Sequence, residues 1–179
     1  MKINLSAIKG LCAAAIVAAA SFGASDAKAQ TAATGQADAF ATIAQAMTIT
    51  WVSDLNFGTV ISAAGTVQVV PGPATPTVNY GGVTPVAGGT ITAAEFTVTG
   101  NNNATFAVTV PAGSITLQEG GGNTMTADTF TSACASVTCT LSGAGADTIY
   151  VGATLNVTAG LNAGLYTSTA PFDVTVNYN

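Results

Sequence analysis

Side chains that could carry chemistry are few in this sequence, and almost all of them are acidic. Beyond residue 28 there is no lysine, arginine or histidine. Without a cation or an imidazole there is no histidine general base, no Schiff-base lysine and no arginine to hold a phosphate. This composition argues against most enzymes and against nucleic-acid binding, which needs Lys and Arg to neutralise phosphates. The remaining charged residues are seven carboxylates: Asp38, Asp54, Glu95, Glu119, Asp128, Asp147 and Asp173.

Carboxylates alone support two kinds of chemistry. A pair of them can hydrolyse a glycosidic bond, but these seven are spread singly and form no recognisable pair. Oxygen ligands can also hold calcium, and the loop from Glu119 to Asn123 has one at each end. That loop lacks the regularly spaced Asp ladder of known calcium loops, so a flexible turn is the favoured interpretation. We expect no enzyme activity, no cofactor and no bound metal.

Two cysteines, Cys134 and Cys139, remain outside the first thirty residues. In an oxidising compartment they are expected to form a disulfide, and the short loop that it closes is worth about 2 kcal/mol. A redox role favours a Cys-x-x-Cys spacing with a nearby cation, and a zinc site needs two further ligands. The sequence offers neither, so a structural bridge is predicted.

The first 29 residues are typical of an export signal. Lys2 and Lys9 supply a positive start, and an apolar run of about ten residues follows at 11–20. The small residues around Lys28 predict cleavage between Ala29 and Gln30. The protein is therefore expected to cross the periplasm and to reside at the cell surface or outside the cell, with no membrane-spanning segment after cleavage.

The region from residue 46 to 179 is predicted to be a single β-sandwich domain. Its threonine content is high, and threonine suits the solvated face of a strand. Apolar and polar residues alternate with period two at 106–110, 151–158 and 172–178, a spacing typical of half-buried strands. Turns rich in glycine and asparagine separate these runs. The pattern indicates an all-β, antiparallel sandwich preceded by an N-terminal arm at residues 30–45.

The arm itself has two interpretations. As a strand it presents one apolar face, and as a helix it aligns Phe40, Ala44 and Met47 in a stripe. The extended form is favoured, because the next residues, Thr48 to Trp51, are strand-like. The apolar face of the strand consists of Ala37, Ala39, Ala41 and Ile43.

Several short motifs resemble an uncharacterised family of secreted bacterial β-domains over roughly Met47 to Asn179. They are Asp54-Leu55-Asn56-Phe57-Gly58, Phe96-Thr97-Val98-Thr99-Gly100, Val151-Gly152-Ala153-Thr154-Leu155, and Gly164-Leu165-Tyr166 before a closing Val176-Asn177-Tyr178-Asn179. The closing strand also resembles that of chaperone–usher pilus subunits and of spore-coat-U-like secreted domains. One departure from the pilins is the disulfide, which lies late in the chain here and often early in pilins.

The pilin resemblance implies a physical mechanism. Pilin domains are immunoglobulin-like sandwiches that lack one strand, and the arm of the next subunit fills the groove. Here the donor would come from residues 32–43, with Ala37, Ala39, Ala41 and Ile43 facing the groove, or Phe40 if the register slips. The acceptor strand, which a periplasmic chaperone would pair with before an outer-membrane usher, would carry Phe172, Val174, Val176 and Tyr178.

Three functions follow in order of preference. The first is an extracellular structural subunit that assembles with itself or with related subunits by strand addition. The second is a self-complete monomeric surface sandwich that binds a ligand such as a carbohydrate. The third is a carboxylate-dependent hydrolase. An arm paired within its own sheet would favour the second function over the first.

Overall fold

The structure, a computed structural model, describes residues 33–73 and 75–179, and the chain divides into two units between Ala41 and Thr42. The predicted export signal and its cleavage site between Ala29 and Gln30 lie outside the described residues. In the first unit, residues 33–41 have neither helix nor strand, and their side chains are exposed.

Twelve strands and no helix occur among the described residues of the second unit. None of the described residues belongs to a helix long and apolar enough to span a membrane. In chain order the strands are β1 (Thr48–Ser53), β2 (Asn56–Phe57), β3 (Gly65–Val70), β4 (Thr77–Gly81), β5 (Ile91–Thr92), β6 (Ala94–Thr99), β7 (Phe106–Thr109), β8 (Ile115–Gln118), β9 (Thr124–Cys134), β10 (Ala146–Val157), β11 (Thr167–Ser168) and β12 (Thr175–Tyr178).

Strand β10 is the centre of an eight-stranded antiparallel sheet. One of its edges pairs with β9, and the other pairs first with β6 and then with β3. The sheet continues to β1 beyond β6, to β8 and β11 beyond β9, and to β4 beyond β3. The predicted alternation is confirmed here: Val151, Ala153, Leu155 and Val157 are all buried. Because these residues form one buried face, they alternate with polar residues, and this alternation identifies the strand in the sequence.

Two short strand pairs, β7–β12 and β2–β5, complete the domain. The β7–β12 pair packs on the large sheet through a cluster of Val98, Phe106, Leu141 and Ile149. A larger cluster joins residues of β3, β6, β9 and β10 to Phe57 of β2. The expected all-β, antiparallel sandwich is therefore confirmed.

The predicted disulfide between Cys134 and Cys139 is present and connects the two layers. Cys134 ends β9, whereas the Cys139 carbonyl accepts a hydrogen bond of 3.0 Å from the backbone N–H of Phe106 in β7. The hydroxyl of Ser136 donates to Asp147 Oδ2 at 2.6 Å and holds the intervening loop. The bridge thus fixes the end of the large sheet to the second layer.

Candidate functional site

Strands β1 and β12 border one open side of the sandwich. Among the described residues, β1 pairs only with β6, and β12 pairs only with β7. The two strands are neighbours in space, yet no backbone pairing joins them. Each strand therefore keeps one edge of unpaired N–H and C=O groups, which is the feature that accepts an added strand.

The apolar residues along this side are only half covered. We call them the β1–β12 groove: Met47, Ile49 and Trp51 on the β1 side, and Val174, Val176 and Tyr178 on the β12 side. All except Trp51 pack against the smaller core cluster, but each stays partly exposed. The next strands inward differ, since Val98 of β6 and Ile149 of β10 are fully buried. The core is therefore closed in its centre and open along this side.

Trp51 shows the opening most directly. It pairs with Phe96 and lies two residues after Ile49, so its side chain points to the core-facing side of β1. Even so, 60% of its surface is exposed. Its Nε1 atom donates to Asp54 Oδ1 at 3.1 Å, which fixes the ring in this position. A large aromatic ring is thus held on this side of the sandwich with more than half of its surface exposed.

Tyr178 links the end of β12 to the start of the domain. Its hydroxyl accepts a hydrogen bond from the backbone N–H of Asn101 at 2.6 Å and donates one to the Gln45 carbonyl at 2.9 Å. The Oδ1 atom of Asn101 in turn accepts from the Gln45 N–H at 2.7 Å. The predicted tyrosine thus lies at the end of the groove where the arm joins the domain.

The predicted acceptor residues fall into two environments. Val176 and Tyr178 belong to β12 and to the groove. Phe172 precedes the strand and packs in the larger cluster, where its ring lies 5.1 Å from that of Phe130. Val174 contacts both clusters. Beside Phe172, a surface depression of about 310 Å³ is lined by Thr109, Val110, Pro111, Ile115, Phe172, Asp173 and Thr175.

The candidate donor residues have no strand or helix around them. Ala37, Ala39, Ala41 and Ile43 are all exposed, and residues 33–47 have neither helix nor strand. Ile43 is 95% exposed and Phe40 is 92% exposed. Neither the helix nor a hydrogen-bonded strand is formed by the described part of the arm.

The carboxylates serve local structure where the contacts are described. Glu119 accepts from the Gly121 N–H at 2.7 Å and from Asn123 Nδ2 at 3.0 Å, closing the turn considered above for calcium. The hydrogen bond from the Asn123 side chain, followed by that from Gly121, lowers the pKa of Glu119. Asp128 likewise accepts from Asn156 at 2.9 Å. Among the described residues, no group of three or more His, Cys, Asp or Glu is placed to hold a metal ion.

Sequence reasoning missed the β1 half of the groove and the turn residues that hold Tyr178. The alternation of Met47, Ile49 and Trp51 was a usable signal, because it continues a period-two apolar pattern into β1. Gly100 and Asn101 gave no such signal. Their part depends on a contact with Tyr178, which is 77 residues away from Asn101.

Comparison with known proteins identifies a family for this chain but no function. No curated protein and no solved structure matches it. One family does, described as "Domain of unknown function (DUF4402)", over residues 47–178. The match runs from the first groove residue, Met47, to Tyr178, and it covers 132 of the 179 residues. The chain belongs to the family of domains of unknown function DUF4402.

Proposed function

We propose that this protein is an extracellular structural subunit that assembles by β-strand addition into the β1–β12 groove. One observation carries the proposal: two neighbouring strands have unpaired edges, and the apolar residues between them are half covered. An inserted strand would pair with one of these edges, satisfy its backbone groups and bury the side chains along the groove. The relation to pilus subunits and to spore-coat-U-like domains belongs to this proposal.

The arm supports the proposal as the source of the inserted strand. Its apolar face, from Ala37 to Ile43, is exposed and engaged in no strand. Burying these exposed isoleucine and phenylalanine side chains against a partner would remove apolar surface from water, which favours association. Because alanines bury little area, Ile43 is expected to contribute most of the apolar affinity of the odd-numbered face.

The open groove also supports a proposal about the partners of the subunit. An exposed edge strand promotes uncontrolled pairing with other chains, so an unassembled subunit needs temporary cover. A periplasmic chaperone that pairs with β12 would supply it, and an outer-membrane usher would receive the complex. Assembly would then replace the chaperone strand with the arm of a related subunit.

The first experiment compares the two faces of the arm in the chain that starts at Gln30. We expect Ile43→Asp to abolish SDS-resistant, heat-sensitive oligomers, because the charge would enter the apolar groove. Thr42→Asp adds the same charge on the opposite face and is expected to leave oligomers intact. If the oligomers are lost in Thr42→Asp but kept in Ile43→Asp, the arm binds in the shifted register, in which Phe40 faces the groove.

The second experiment measures how exposed the β1–β12 groove is in monomers and in oligomers. Trp51 is the only tryptophan, so its fluorescence reports on this side of the sandwich alone. We expect oligomers to show a blue-shifted emission and reduced quenching by acrylamide relative to monomeric Ile43→Asp. Oligomers whose Trp51 is quenched as readily as in that monomer would contradict strand addition at this site.

A further inference from the structure

The backbone of Gln45 is held from both sides. Its N–H donates to the Asn101 side chain at 2.7 Å, and its carbonyl accepts from the Tyr178 hydroxyl at 2.9 Å. Asn101 and Tyr178 are themselves joined by the 2.6 Å bond from the Asn101 N–H to the hydroxyl. We call Gln45, Asn101 and Tyr178 the root clamp. It fixes the point where the arm joins the domain.

Gly100 makes room for this clamp. A Cβ atom built on Gly100 would collide with the Tyr178 hydroxyl and would lie 3.1 Å from Leu141 Cδ1. Only glycine therefore lets the hydroxyl reach the Asn101 N–H and the Gln45 carbonyl together. The turn after β6 is thus shaped around the phenol of the last strand.

The residues that lead into β1 are also poorly suited to forming a tight turn. Residues 36–53 contain no glycine, asparagine or proline. Among described non-glycine residues, positive φ occurs at Asn103, Thr129 and Cys139, and none of these lies in the arm or its root. A tight hairpin with β1 needs positive φ at one or both central turn residues. It would also compete for the Gln45 backbone groups that the clamp already uses.

We propose that the root clamp keeps the arm out of the groove of its own chain, so that the groove is filled by the arm of a second copy. The inference rests on the proposed function and adds to it a determinant of partner choice. Asn101 and Tyr178 act as positioning residues that decide between joining two chains and closing one. Asn101 is not a residue of the groove, so it would act without touching the incoming strand.

The clamp is tested first without reference to assembly, in the chain that starts at Gln30 and carries Ile43→Asp. We expect the Gln45 amide to exchange its hydrogen at least about tenfold more slowly than the Ala41 amide, measured by NMR. Asn101→Ala should remove that protection, whereas Asn101→Asp keeps an acceptor oxygen and should retain it. Asn102→Ala is the matched control. An unprotected Gln45 amide in the parent would overturn the clamp.

Partner choice is then tested in the same chain with the native Ile43. We expect Asn101→Ala and Tyr178→Phe to raise, at least about threefold, the fraction of monomers whose Trp51 is shielded from acrylamide. Such monomers have filled their own groove. If the fraction of monomers with shielded Trp51 is unchanged in variants whose Gln45 amide has lost its protection from hydrogen exchange, the inference is overturned. If the parent yields only monomers with accessible Trp51, strand addition itself fails and partner choice with it, whatever the Gln45 amide shows.

Discussion

At the residue scale, Gly152 lies where the pairing of β10 passes from β6 to β3. A Cβ atom at this position would collide with the Val69 carbonyl oxygen and lie 2.8 Å from Pro71 Cδ. The obstacle is mainly backbone, which cannot rotate away as a side chain can. The missing side chain is therefore what lets two strands share one edge of β10.

Gly152→Ala is accordingly expected to lower the free energy of unfolding by about 3 kcal/mol, because overpacked backbone must move apart. Urea denaturation measures the change. Gly113→Ala is the control, since a Cβ there meets nothing within 4 Å. A loss below about 0.5 kcal/mol in Gly152→Ala would contradict this account of the strand switch.

Glu119 gives a pH-dependent prediction at the same scale. Its pKa in the folded protein lies below the ordinary glutamate value of 4.5, because Asn123 and Gly121 donate hydrogen bonds to the carboxylate. The stabilisation is thus present above the unfolded pKa and is lost as pH falls through the folded pKa. We expect Glu119→Gln to reduce the acid dependence of unfolding in that window. NMR titration should show the Glu119 pKa rising toward 4.5 in Asn123→Ala, and an unchanged pKa would refute the assigned cause.

At the scale of elements, the domain contrasts a closed centre with an open side. Strand β10 is paired on both edges, whereas β1 and β12 each have one described partner. Opposite the groove, at the end of β9, the disulfide loop ties the large sheet to β7. The second layer is therefore anchored covalently at one side, while the outer edge of β12 has no backbone partner among the described residues.

Removing this anchor is expected to destabilise the domain without changing its fold. For a cysteine separation of five residues, loop closure is worth about 2 kcal/mol, so Cys134→Ala with Cys139→Ala should lower the free energy of unfolding by that amount. Denaturant titration measures it. Ser136→Ala, which removes only the bond to Asp147, is expected to cost about 1 kcal/mol. Equal losses in both variants would argue that the loop contacts, and not the covalent bond, hold the layers.

At the scale of the whole molecule, charge limits the kinds of contact that two copies of the chain can make. From Gln30 onward the chain has seven acidic and no basic side chains, so no side-chain ion pair can form within or between copies. Contacts between copies must use backbone hydrogen bonds and apolar burial against mutual repulsion. Strand addition into the β1–β12 groove uses these two kinds of contact.

Self-association is therefore expected to strengthen as salt rises from about 0.05 M to about 0.3 M, because screening weakens the repulsion between copies. Sedimentation of the chain that starts at Gln30 measures the effect. Asp38→Asn removes one charge from the arm and should make the salt dependence shallower. Oligomers that dissociate in moderate salt would contradict an assembly held by apolar and backbone contacts.

The sequence by itself determined the local features of this protein. Period-two alternation located β7, β10 and β12 because each turns one apolar face towards the core, and the oxidising compartment implied by the export signal predicted the bridge between Cys134 and Cys139. The absence of cations beyond residue 28 argued against whole classes of chemistry without any structure. The carboxyl-terminal half of the groove was also predictable, because its apolar residues alternate within one short segment.

Only the tertiary structure decided what depends on distant partners. That β1 and β12 are neighbours with unpaired edges, that Trp51 is exposed over the core, and that Tyr178 holds Gln45 all join residues far apart in the chain. Local periodicity records which face of a strand is buried, but not which strand lies beside it. Strand neighbours are set by how the whole core closes, and among the described residues β1 and β12 come together without a backbone pairing between them.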